Sequence, residues 1–364
     1  MVHFFKDWLQ FFKKSKPSQT KDLNINNRLP FDVKQELLFS RGESPAKKQK
    51  KGPGADVHKL MIKATQIKKT KGYPEAIDFL MELAEHYIND KNTALVVCMN
   101  KLIPYMKKDS AYEPNEIKKY LESIISKTPK SDPYFLNLHI TMAQFIRSYD
   151  LEKSIIYLFD CLEKYKVNLN TFNIQICLAN FLGEANKIAK SKSVLKQAKS
   201  LLSEKIERFE LIKLERKWYR SSAKLNLMKP GEMGMIKYLN HRFIEFALDM
   251  ARVLDPMHIE VFHERKDLYY KNERGFVNSE DFKSAMQELG LQNKQEALIK
   301  NIYGFCFEEL PGILGVTERQ LHYLPGDLES IEELREKKMY YRKPFRELPE
   351  IEKRIDKIIK KYVR

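Results

Sequence analysis

Four stretches in the middle of the chain, KGYPEAIDFLMELAEHY, EPNEIKKYLESIISKTP, YDLEKSIIYLFDCLEKY and AKSKSVLKQAKSLL, can be laid over one another. Their spacing is about 37 residues, the first step slightly longer, in the range of repeats built from one helical hairpin each. In this register Leu80, Leu121, Leu158 and Leu195 form one column, and Ala76, Ile117, Ser154 and Ser191 a second, mostly small one. Leu83 or Ala84, Ile124 or Ile125, Cys161 or Leu162, and Ala198 make a third. A hairpin of this length cannot bury its apolar side alone and must stack on its neighbours. The repeat therefore predicts stacked helices presenting a long surface to other macromolecules.

The rest of the composition agrees with helices. The chain has 364 residues, 43% of them hydrophobic, and only 13 glycines. A length of this order supplies real cores, and scarce glycine with abundant Lys, Leu, Ile and Glu disfavours a β-rich fold. The formal charge of +16 implies an acidic counterpart: nucleic acid, anionic lipid or an acidic protein face. Cys98, Cys161, Cys177 and Cys306 are widely spaced within apolar patterns and read as reduced core thiols. No apolar run approaches the ~18 residues that span a bilayer, and no cleavable signal pattern is visible. The expected location is cytoplasmic, with peripheral membrane attachment as an option through the N-terminal segment.

That segment, residues 1–14, has helical periodicity. Phe4, Phe5, Trp8, Leu9 and Phe12 share a stripe, with Lys6, Asp7, Gln10, Lys13 and Lys14 opposite. Such a stripe suits either an anionic membrane surface or a partner helix. Residues 15–55 lose periodicity in favour of Ser, Asn, Pro, Gly and Lys and read as a disordered basic linker. Within it PFDVKQELLF reads as one short helix or a docking segment.

Repeats begin near Asp56, read as the N-cap of the first helix, and run to about residue 205. In the first unit Ala64 and Ala76 stand at small positions, Tyr73 at an aromatic one and Leu80 at a large one. Met142, Phe145, Leu151, Ser154, Leu158 and Cys161 follow the same order, as do Ala179, Leu182, Ile188, Ser191, Leu195 and Ala198. In this pattern the chain resembles the tetratricopeptide repeat family, in which paired antiparallel helices approach through small residues. The resemblance implies an α-solenoid whose groove grips a protein segment. There are departures: no early Trp, a longer period, and Lys101, Pro104 and Lys108 where the second unit's first helix should be apolar.

Residues 206–364 read as a further α-helical region. A long charged helix over SEKIERFELIKLERKWYRSSAKLNL stops at Lys229-Pro230-Gly231, and another ends before Asp255-Pro256. Further helices are expected at 257–270, 279–289, 293–308, 328–338 and from Pro349, where Ile351, Ile355, Ile358, Ile359 and Tyr362 share a stripe opposite lysines.

Three constellations in this region invite chemistry. Asp255, His258, Glu260, His263 and Glu264 are dense in ligands, but His258 and His263 are spaced so that they diverge on a helix, and no metal site is expected. YKNERGFVNSEDF resembles an EF-hand calcium loop with Gly275, Val277 and Asp281 in place. Tyr270 and Arg274 sit where oxygen ligands belong, so no calcium is expected. EELPGILGVTERQLHYL resembles a helix-turn-helix, with Gly315 at the turn and Leu310, Leu314, Val316, Leu321 and Leu324 on apolar positions. That resemblance implies that Thr317, Arg319, Gln320 and His322 would meet DNA. Pro311, inside its first helix, is the departure, at a cost of ~3 kcal/mol.

No phosphate loop, nucleophile elbow or zincin helix occurs, and no cofactor is expected. The expectation is an all-α, non-enzymatic scaffold or adaptor binding a protein partner in the groove of a helical array. The alternative is a nucleic-acid-binding protein using a basic helical surface or the segment near 310–324.

Overall fold

The computed structural model describes residues 54–88, 93–203, 206–228, 231–254, 279–315 and 347–363. All regular secondary structure among them is helical. Ten helices follow one another in the first part: α1 Gly54–Thr70, α2 Tyr73–Tyr87, α3 Ala94–Met106, α4 Pro114–Lys127, α5 Phe135–Arg147, α6 Leu151–Tyr165, α7 Phe172–Glu184, α8 Ile188–Ser200, α9 Arg208–Leu227 and α10 Glu232–Val253. Beyond them lie α11 Glu280–Glu288, α12 Gln295–Gly304, a π-helical turn at Phe305–Glu309, α13 Leu310–Ile313 and α14 Leu348–Val363.

Local sequence sets the boundaries. Pro114 occupies the first turn of α4, and the Glu113 and Glu116 side chains close a capping box around it. The Asp150 carboxylate accepts from the Lys153 backbone N–H at 2.9 Å and so starts α6. Glu207 accepts from the backbone N–H groups of Phe209 and Glu210, both at 2.9 Å. These bonds start α9 at Arg208, later than the expected start near Ser203. Likewise α1 begins at Gly54, which places Asp56 inside the helix instead of capping it.

Packing follows chain order with one regular addition. Each helix from α1 to α10 lies against a chain neighbour, and the odd-numbered helices also meet one another: α1 with α3, α3 with α5, α5 with α7, and α7 with α9. The predicted leucine column is buried throughout: Leu80, Leu121 and Leu158 at 0% exposure and Leu195 at 4%. Removing one such side chain from water contributes roughly 1.5–3 kcal/mol. Small residues act where helices come closest. Ser191, buried on α8, donates its hydroxyl to the Ala179 carbonyl of α7 at 2.7 Å. A Cβ at Gly183 would stand 3.2 Å from Met228 Sδ and 3.5 Å from Leu225 Cδ1, so glycine there lets α7 approach the end of α9.

In the second unit α3 runs through Lys101 and Pro104 to Met106. Leu95, Cys98, Met99, Leu102, Ile103 and Met106 fill its buried side, while Pro104 lies exposed in the last turn. All four cysteines are free and buried, as expected. Burial pushes the Cys98 and Cys177 thiols to about 12 and that of Cys161 to about 11, so they stay protonated.

Three apolar clusters run along the molecule, the first under α1–α5 and the second under α5–α9. The third joins α9 and α10 to α11–α14. Trp218 packs against the second and third, and its indole N–H donates to the Leu195 carbonyl at 2.8 Å. The α9–α10 pair also buries charge: Arg216 meets Asp249 at 2.9 Å, Arg220 meets Glu245 at 2.7 Å, and Arg242 meets the same Glu245. Burial alone would raise the Glu245 carboxyl, but the three arginines outweigh it and hold it low.

The last helix matches its sequence pattern. Ile351, Ile355, Ile358 and Ile359 of α14 are buried against α10 and α12, and Lys353, Lys357, Lys360 and Lys361 are exposed. Arg354 clamps Glu309 through two bonds, at 2.9 and 2.5 Å. Pro311 follows the π-helical turn in α13, within a helical run unbroken from Gln295 to Ile313.

Candidate functional site

Two faces of the helical array carry polar side chains in organised positions. The first is formed by the odd-numbered helices. Lys101 Nζ on α3 donates to the Thr65 hydroxyl on α1 at 2.6 Å. The Thr141 hydroxyl on α5 donates to Asn100 Oδ1 on α3 at 3.0 Å, and Lys217 Nζ on α9 donates to Asn173 Oδ1 on α7 at 3.2 Å. Asn137 lies one turn before Thr141, and Asn180 lies two turns beyond Asn173, both part-exposed. Successive helices thus present an amide or a lysine at each step.

Lys101 sets the electrostatics of this face. It is half-buried, and among the described residues no carboxylate pairs with it. Burial, helped by the nearby Lys68 charge, lowers its ammonium to about 8. The Tyr105 ring lies 5.8 Å below the Lys101 nitrogen and edge-on to Tyr73 at 5.5 Å, while Lys68 stands over Tyr73 at 5.2 Å. A cation held without an anion, beside aromatic rings and side-chain amides, is suited to receive a carboxylate.

The second face lies where the even-numbered helices α4 and α6 stand apart over α5. A cavity of about 970 Å³ opens between them. Its floor contains Phe135, Met142, Phe145 and Ile146 of α5, and Tyr157 and Tyr165 of α6. His139 sits among them, with Nδ1 2.7 Å from the Tyr157 hydroxyl and Nε2 3.1 Å from the Tyr165 hydroxyl. The Cys161 sulfur is 3.6 Å from Nδ1. Burial, with a smaller push from Lys164, lowers the imidazole to about 4 and keeps it neutral at pH 7.

A third polar group joins α8 to α9. Lys199 pairs with the buried Glu215 at 2.6 Å and stands 4.6 Å over the rings of both Trp218 and Tyr219. His241 stacks beside those rings, lowered to about 4 by burial and by Lys199 and Lys237. Every member is held by packing between helices, which makes this a structural joint.

The residues singled out from sequence fall elsewhere. Phe4, Phe5, Trp8, Leu9 and Phe12 lie outside the described residues, as do Thr317, Arg319, Gln320 and His322. So do His258, His263 and the segment resembling an EF-hand loop up to Asn278. Asp281, its last position, stands in the first turn of α11 behind the Ser279 cap. Leu310 and Leu314 are buried, and Gly315 takes φ +73° at the turn after α13. Among the described residues no group of three His, Cys, Asp or Glu side chains is placed to hold a metal ion. No helix among them is long and apolar enough to cross a membrane.

Sequence reasoning missed both faces. The signal for the first was present: Asn100, Asn137 and Asn173 recur at nearly the repeat spacing, on the first helix of three successive units. For the second, His139, Tyr157, Cys161 and Tyr165 share one side of α5 and α6, but only the separation of α4 from α6 makes a cavity of it. Comparison with known proteins finds no family model, no curated protein and no solved structure that matches the chain.

Proposed function

We propose that this chain is a non-enzymatic scaffold, an α-solenoid of tetratricopeptide-like hairpins whose odd-numbered helices grip an acidic segment of a protein partner. The observation that carries the reading is the half-buried Lys101, bonded only to a threonine hydroxyl, at one end of a polar run through Asn100, Thr141, Asn173 and Lys217. Amides placed at each step can bond the backbone of an extended peptide while lysines take its carboxylates. The surplus of positive charge over the whole chain adds steering toward an acidic partner.

Site-specific photo-crosslinking tests this directly. A photoreactive side chain at Asn137 should capture one protein partner, whereas one at the exposed Ser193 on α8 should not. Equal capture from both positions, or capture of nucleic acid alone at Asn137, would remove the reading.

A further inference from the structure

We propose that the cavity between α4 and α6 is a binding site for a small amphipathic carboxylate, with its alkyl body on the aromatic floor and its charged end at Lys130 and Lys164. This site shares α5 with the protein-binding face but uses other residues of it, and stands or falls without that reading.

Size and shape come first. The volume of about 970 Å³ lies at the upper end of small-ligand sites. The cavity borders α4 from Pro114 to Lys127, 14 residues, or ~20 Å of helix. Phe135, Met142 and Phe145 are buried beneath it, while Ile156 and Tyr149 at its rim are 56% and 53% exposed. An apolar trough of this length with an exposed apolar rim fits a chain-like body.

The polar groups select the other end of the ligand. Five lysines and three carboxylates border the cavity, an excess of two positive charges. Lys118 meets Glu122 at 3.6 Å, Lys153 meets Asp150 at 3.2 Å, and Lys127 reaches Glu85 on α2 at 3.0 Å. Lys130 and Lys164 have no ion pair among the described residues, and Asp160 is the one carboxylate on their side of α6. Lys130 lies just beyond α4, and Lys164, over the Tyr165 ring at 5.5 Å, stands in the last turn of α6, so both cations belong to the end of the trough where α4 and α6 finish.

His139 leaves a neutral hydrogen-bond donor there, the O–H of one of its two tyrosine partners. A neutral imidazole has one N–H and one acceptor nitrogen. Of Tyr157 and Tyr165, one therefore donates to the ring and the other accepts from it. Whichever tautomer holds, the accepting tyrosine keeps its own O–H, and both phenols border the cavity. A carboxylate oxygen is a stronger acceptor for that O–H than the neighbouring Cys161 sulfur.

Titration calorimetry on the full chain with octanoate, decanoate and dodecanoate decides the matter. The expected result is saturable 1:1 binding that tightens about fourfold per methylene, hence ~15-fold per step of the series. Dodecyltrimethylammonium, with the same tail and opposite charge, should show no such saturation. Lys164→Ala, at an exposed position, should weaken dodecanoate about tenfold with the thermal midpoint of the free protein retained, and Tyr165→Phe should weaken it about tenfold while lowering that midpoint through the lost bond to His139. Four outcomes would each overturn the proposal: no saturable binding, no dependence on chain length, equal affinity for the ammonium compound, or wild-type affinity in both variants.

Discussion

Lys101 Nζ reaches across from α3 to the Thr65 hydroxyl of α1 at 2.6 Å, and no carboxylate among the described residues shares it. Its lowered value of about 8 records the cost of holding an ammonium group there without a counter-ion. A partner carboxylate placed beside it would favour the charged form and raise that value. Below pH 8 the ammonium is already present. Above pH 8 binding must take up a proton, so affinity for an acidic partner should fall as pH rises from 8 to 10. Lys101→Arg, charged over the whole range, should abolish this fall in a titration followed by calorimetry. A wild-type affinity that is flat across the range would separate Lys101 from binding.

Leu158 tests the repeat register. It is fully buried in the second apolar cluster, in the column with Leu80, Leu121 and Leu195. Leu158→Ala should lower unfolding free energy by roughly 2–5 kcal/mol, since transfer and cavity terms add. A denaturant melt showing less than half of the lower figure would contradict the packing.

The helical character, the leucine column and the amphipathic last helix were all legible in the sequence, because each is a periodic pattern on one element. The charged interior between α9 and α10 was not. Arg216, Arg220, Arg242, Glu245 and Asp249 look like surface residues until two long helices place them opposite one another. Pro104 and Lys101 interrupt an apolar pattern, yet α3 runs through both, with Pro104 exposed and Lys101 half-buried against Thr65 of α1. The cavity between α4 and α6 depends on the separation of two helices, which no repeat period encodes.

Glu245 is the centre of that charged interior. Glu245→Gln would take from the part-buried Arg220 and Arg242 the buried anion they share, and breaking a buried pair from one side costs up to about 3–5 kcal/mol. Chemical denaturation at neutral pH would measure it, and a loss below 1 kcal/mol would show that water reaches the site.

His139 and His241 should make the fold acid-sensitive. Each titrates at about 4 when folded, against 6.5 as the unperturbed value. The unfolded chain therefore binds more protons in this window, and stability is lost as pH falls from 6.5 toward 4. The loss is about 2 kcal/mol per histidine by pH 5. Burial raises the carboxyls of Glu215 and Glu352, which acts in the opposite sense in the carboxylate range. The comparison of wild type with His139→Gln isolates the first effect: the variant should lose less stability between pH 7 and pH 5. Identical losses would mean that the ring is charged in the folded protein.

The central claim, that the odd-numbered helices grip an acidic protein segment, is tested most directly by affinity capture from native lysate with and without nuclease. The wild-type chain is run beside the Lys101→Glu/Lys217→Glu variant and a Lys196→Glu control, which changes an exposed lysine on α8. The account predicts a specific protein that survives nuclease, is kept by Lys196→Glu and is lost by the double variant. Capture that disappears with nuclease, or that the double variant retains in full, would contradict it.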